Sequence, residues 1–210
     1  MKIVGYGEDS LTLWALTHRT REILDRLGDE SDIKDTMMYF RPSFGRRGST
    51  PTNPGSTADS AQFGEFDAIL ASPKSIYLIE AKWSRSPEFN RGTITLRSEQ
   101  IRRHQLLRAY LLAWRELENG CNWKDFFDNR EGYLIVDEIR YPIAPTGSQL
   151  SRNLETILRG LSTFGSHIRD VLLYIQITDG PQLTTVENHG FQLISIECQS
   201  EFGFVSLNQD

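Results

Sequence analysis

The spacing of apolar side chains changes period several times along this chain, and each change marks an element. Leu13, Leu16, Thr20, Ile23, Leu24 and Leu27 recur at helical spacing and predict one helix over residues 9–27. Asp9 or Ser10 can cap its start, and Gly28 can end it. Residues 36–40, Thr-Met-Met-Tyr-Phe, have strand character. Two apolar strands follow, 65–71 and 75–82, with the tight turn Ser72-Pro73-Lys74 between them. A long helix is expected over 96–117, where Leu107, Tyr110, Leu111, Trp114 and Leu117 form a core stripe. Further strands are expected at 132–137, 171–178 and 192–198, with a helix at 150–161 between the first two. This order predicts an α/β fold, a central sheet flanked by helices. No internal repeat or clear linker interrupts it, so one domain over 1–210 is expected.

Composition narrows the class. With 210 residues, 39% hydrophobic and 24% charged, the chain can bury a core without disulfides or a structural metal. Its two cysteines, Cys121 and Cys198, form neither a disulfide framework nor a zinc pattern and suit a reducing cytoplasm. The opening residues 1–7 lack the apolar stretch of a signal peptide, and no run reaches the length of a membrane span. A cytoplasmic location is therefore expected. A formal net charge of -5 argues against binding nucleic acid by bulk charge alone. It leaves room for an acidic site flanked by local basic patches. From 45 to 60 the composition turns to Gly, Ser, Thr, Pro and Asn, a long loop of the kind that is functional or disordered.

Candidate chemistry lies on the two strands around the Ser72-Pro73-Lys74 turn. Side chains alternate faces with a period of two, so Glu80 and Lys82 point the same way, with Ile76 and Leu78 behind them. If Ser72 opposes Ser75, Asp67 faces Glu80 on the same side of the sheet. Pro-Lys is not a favoured hairpin turn, so the register is open to a slip of one residue. Two carboxylates side by side repel and raise each other's pKa, and a divalent cation removes that conflict. Asp67, Glu80 and the carbonyl of Ala81 are natural ligands for magnesium, which takes oxygen donors and keeps several waters. Lys82 can then orient or deprotonate a water, or stabilise charge on a phosphorane. The plainer reading is a surface hairpin in which Lys82 pairs with Glu80 or Asp67.

Phe66-Asp67-Ala68-Ile69-Leu70, followed by Glu80-Ala81-Lys82 at the end of an apolar strand, resembles the PD-(D/E)XK nuclease superfamily. That superfamily includes type II restriction endonucleases, Holliday-junction resolvases and repair exonucleases. The resemblance covers roughly residues 8–115 and rests on a short, degenerate motif in which Phe66 stands where the name has Pro. It implies a restriction-endonuclease-like core, a central mixed sheet flanked by helices, with magnesium, or manganese as a substitute, and hydrolysis of phosphodiester bonds in DNA.

The resemblance also implies an acidic residue on the first helix. Glu8 and Glu22 are the candidates, on roughly the same helical face, and Glu8 is preferred because it comes early in the helix. The competing readings are helix-start chemistry for Glu8 and a solvated face beside Arg19 or Arg26 for Glu22. Extended backwards, the core stripe of the long helix meets Gln100, Arg103 and His104. Related nucleases often carry Gln or basic residues there, which suggests contacts to water or phosphate. The alternative is a helix end emerging into solvent. Arg46 and Arg47 on the long loop are candidate phosphate contacts or two solvated arginines. Arg85 and Arg91 are candidate backbone contacts, and packing is the expected role of Trp83. The first expectation is thus a magnesium-dependent deoxyribonuclease, an endonuclease by preference. The second is the same fold with a silent site, serving as a nucleic-acid or protein binding module. A homodimer is suggested only by analogy with duplex-cutting enzymes.

Overall fold

The computed structural model describes residues 3–43, 65–117, 121–178, 180, 183–187, 190–200 and 203–207. Its elements run β1 (Val4–Tyr6), α1 (Gly7–His18), α2 (Thr20–Leu27), β2 (Met37–Phe40), β3 (Ala68–Ala71), β4 (Ser75–Trp83), β5 (Phe89–Asn90) and β6 (Thr93–Thr95). They continue with α3 (Ser98–Arg115), α4 (Trp123–Asn129), β7 (Tyr133–Val136), β8 (Ile139–Pro142), α5 (Gln149–Leu161), β9 (His167–Ile177), β10 (Thr185–Glu187), β11 (Gln192–Cys198) and β12 (Phe204–Ser206). The chain forms two compact units: Met1–Pro42, Phe66–Gln100 and Phe164–Asp210 in one, Ser43–Glu65 and Ile101–Thr163 in the other.

The first unit is α/β. Its five-stranded sheet has the order β11-β9-β4-β3-β2 and is mixed: β11, β9 and β4 are parallel, while β4, β3 and β2 are antiparallel. Every residue of β4 is buried: the apolar run Ile76-Tyr77-Leu78-Ile79, and with it the polar Ser75, Glu80 and Lys82. One face carries Tyr77, Ile79 and Ala81 of β4 with Val171 and Leu173 of β9, packed with Leu11 and Leu16 of α1 and Ile23 and Leu24 of α2. The alternate residues Ile76, Leu78, Glu80 and Lys82 belong to the opposite face by the same period of two. β1 pairs antiparallel with β12, and β6 joins β10 and β5 in a small sheet. The second unit is built on α4, α5, most of α3 and the β7–β8 hairpin. Its centre is aromatic: Tyr110, Trp114, Trp123 and Phe126 are all buried, and the Trp123 indole donates to the Ala144 carbonyl at 2.8 Å. No helix among the described residues is long and apolar enough to cross a membrane, and both cysteines are free.

Several expectations change. The single helix expected over 9–27 is two, α1 and α2, broken at Arg19 (φ -122°, ψ 16°). Thr17 and Thr20 each turn a hydroxyl back to a carbonyl four residues earlier, Leu13 and Leu16. Such back-bonding bends helices and leaves no trace in hydrophobic spacing. Neither Asp9 nor Ser10 is the cap: α1 starts a turn earlier, behind Tyr6, which makes no side-chain capping bond. Gly28 does end α2, in the left-handed conformation at φ 71°. The strand expected from 65 begins only at Ala68, with Glu65 in an isolated bridge to Ser43.

Candidate active site

The hairpin register is the one in which Ser72 opposes Ser75. Ser72 N–H donates to the Ser75 carbonyl at 2.8 Å, and Ala68 pairs with Ile79. The Ser72 hydroxyl accepts from Lys74 N–H at 3.1 Å and Ser75 N–H at 3.0 Å. That side chain supplies what Pro-Lys lacks as a turn, and it pins the register. Asp67, one residue before β3, therefore lies opposite Glu80. Its carboxylate Oδ2 accepts the backbone N–H of Ala81 at 2.7 Å, and its own carbonyl accepts from Arg41 N–H at 3.0 Å. A side chain thus takes over where the backbone ladder stops.

Around Asp67 the polar groups converge. Lys82 Nζ donates to Glu80 Oε1 at 3.0 Å and to the Ala81 carbonyl at 2.8 Å, and lies 3.5 Å from Glu8 Oε1. Gln100, in the first turn of α3, donates from Nε2 to Glu80 Oε1 at 2.6 Å. Its Oε1 meanwhile accepts Arg97 N–H at 2.7 Å, as a glutamine in the first turn of a capping box does. Helix-start chemistry and the site thus share one side chain. Glu8 is held from its other oxygen by the Ser86 hydroxyl, which accepts Trp83 N–H at 2.8 Å. Nothing in the sequence marks Ser86 as part of the site. Ser86-Pro87 reads only as a turn signal, and the turn brings it back under α1. Glu22, by contrast, pairs with Arg19 and Arg26 on the outer side of α2.

Burial sets the electrostatics. Glu80 is 1% exposed and Lys82 3%. Burial and the neighbouring Glu80 push the Asp67 carboxyl up to about 7, and the pull of Lys82 and the Ala81 N–H does not offset them. For Lys82, burial works against the charged form, but Glu80, Glu8 and Asp67 outweigh it and raise its pKa. The three carboxylates favour the charged form of Lys82, while burial and Glu80 work against the charge on Asp67.

Hard oxygen donors are what this site offers: two carboxylates and the Ala81 carbonyl. Among the described residues no group of three or more His, Cys, Asp or Glu is placed to hold a metal ion. Two carboxylates suffice for magnesium, which fills its octahedron with water. The donor set fits such a cation, with one qualification of geometry: Glu80 Oε1 and the Ala81 carbonyl both hold the Lys82 ammonium, so a cation using them competes with it.

Arg103 and His104 belong to the second unit, where His104 is buried. Arg46 and Arg47 lie outside the described residues. Trp83 is 8% exposed and part of the core, as expected for packing, and the Arg85 guanidinium lies 5.9 Å over its ring. Arg91 is exposed, with φ 48°. The chain finds no match among protein-family models, curated proteins or solved structures.

Proposed function

We propose that this chain is a magnesium-dependent deoxyribonuclease with a restriction-endonuclease-like core of the PD-(D/E)XK type. The observation that carries the reading is the hairpin geometry: Asp67 lies opposite the buried Glu80 and accepts the Ala81 N–H at 2.7 Å, while Lys82 Nζ donates to Glu80 at 3.0 Å. Asp67 and Glu80, with the Ala81 carbonyl, would hold the cation. A divalent cation there supplies charge to polarise a phosphoryl oxygen and to make water a better nucleophile.

The chain's own residues do the rest. Lys82, kept charged, has no lone pair with which to take a proton, so it acts as a donor that orients water and meets charge developing on the phosphate. Gln100 fixes the Glu80 carboxylate from one side. Glu8, steadied by Ser86, faces the ammonium from the other and holds its position.

Incubating plasmid, linear and branched DNA with the protein and magnesium or manganese tests this. Wild type is expected to cut at least one substrate, and Lys82→Ala to cut it about 100-fold or more slowly. Equal behaviour of the two proteins on every substrate overturns the reading.

A second reading, a silent site in a binding module, draws on the closed arrangement of Lys82 over Glu80 and the Ala81 carbonyl. It predicts no thermal stabilisation by magnesium or manganese. A shift that vanishes in Asp67→Asn rules it out.

A further inference from the structure

The β1–β12 ladder carries a feature that hydrolysis at Lys82 does not use. Tyr6 and Phe204 are partners across this ladder, so their side chains leave the same face. Both are 55% exposed, and their rings lie with centroids 4.9 Å apart. Val205, between them in the pattern of alternation, points the other way and is buried. Trp83 meets Tyr6 edge-on at 6.1 Å. Gly203 lets β12 approach: a Cβ there would lie 2.4 Å from the Trp83 ring. The Gly203 carbonyl accepts Gly7 N–H at 3.2 Å, which ties the ladder to the start of α1. The rings are therefore held in place while half their surface faces water.

Two further facts say what such a surface suits. Tyr6 stands two residues before Glu8, where β1 leads into α1, and the ladder that carries it is tied to that same helix start. Arg85 is exposed and stands over the Trp83 ring, a cation at the edge of an aromatic surface. A chain of net charge -5 cannot gather a polyanion by bulk charge. Stacking on aromatic faces supplies affinity that does not depend on net charge, and it is open to any base that is not already stacked in a duplex.

We propose that Tyr6 and Phe204, with Arg85 beside Trp83, form a stacking platform for an unpaired base of the nucleic-acid strand. The arginine meets a phosphate, and the protein takes single strands or frayed ends in preference to intact duplex. This rests on the nuclease reading for its substrate class.

Fluorescence anisotropy of the full chain in EDTA tests it without cleavage. The probes are a labelled single strand of about twelve nucleotides and the same strand annealed to its complement. The single strand is expected to bind about tenfold more tightly than the duplex. Tyr6→Leu and Phe204→Leu, which keep apolar area but lose the π face, are each expected to weaken single-strand binding about tenfold, and Phe204→Trp to retain it. Photocrosslinking of an iodouridine-substituted single strand to the wild type needs no variant, and is expected to label Tyr6 or Phe204. Leucine variants that bind like wild type, or crosslinks only elsewhere, overturn the platform. So does a dimer that the leucine variants dissolve while DNA binding persists, because the face then serves a second copy. The two readings fail separately. Cleavage lost in Lys82→Ala with no aromatic dependence of binding sinks the platform alone, and aromatic-dependent binding without cleavage by wild type sinks the nuclease alone.

Discussion

Two aspartates, one buried and one half-buried, sit at opposite ends of the β3–β4 hairpin, and the chain treats them in opposite ways. Asp29, just past the Gly28 cap, is 2% exposed. Its carboxylate accepts Ser31 N–H at 3.0 Å, the Ser31 hydroxyl at 2.6 Å, the Ser72 hydroxyl at 2.5 Å and the Tyr77 hydroxyl at 2.7 Å. Burial works to raise its pKa, but these donors prevail and bring it down to about 2. Asp67 has the single N–H of Ala81, and the neighbour that matters most is another carboxylate, Glu80. The first site is a finished structural network that ties α2 to the hairpin turn. At the second, burial and Glu80 outweigh the pull of Lys82 and raise the Asp67 carboxyl, a kind of perturbation that clusters at functional sites.

The largest expected effect separates the Lys82 end of the hairpin from the Asp29 end in cleavage. Lys82→Ala should cut at least about 100-fold more slowly, while Asp29→Ala should cut at the wild-type rate per folded molecule. Stability should divide the other way. Asp29→Ala strands the Ser72 and Tyr77 hydroxyls and the Ser31 donors, and urea unfolding should show a loss of about 3 kcal/mol. Asp67→Asn keeps an oxygen for the Ala81 N–H and removes the repulsion with Glu80. The same titration should find it as stable as wild type, or more stable by about 1 kcal/mol. A large loss from Asp67→Asn, or none from Asp29→Ala, would erase the contrast.

Smaller effects of opposite sign should appear with pH. Asp29 is depressed from 3.8 to about 2, so its stabilisation is full above 3.8 and fades as pH falls to about 2. Asp67 is raised from 3.8 to about 7, so the native state binds the extra proton between those values. Its contribution therefore makes stability fall as pH rises from 3.8 to about 7. Melting curves across pH 4 to 7 should lose that slope in Asp67→Asn and keep it in Asp29→Ala.

The part of this contrast legible in the sequence was the part governed by period. Two-residue alternation put Glu80 and Lys82 on one face, and the Ser72-Pro73-Lys74 turn set Asp67 against Glu80. The helical stripe traced back to Gln100, which does reach Glu80. What depends on side chains folding back was not legible. The break at Arg19 comes from threonine hydroxyls, and the Asp29 network joins residues that are distant along the chain. Ser86 reaches Glu8 only because the chain turns after Trp83. The three-residue strands β1 and β12 lie far apart along the chain, and neither is long enough to show a period.

Magnesium titration followed by thermal melting tests the central claim most directly. Wild type and Asp29→Ala should each gain a few degrees as the cation saturates a site present only in the folded state, and Asp67→Asn should gain none. An equal gain in Asp67→Asn, or no gain in wild type with magnesium or manganese, would contradict the assignment of Asp67 and Glu80 as a cation site.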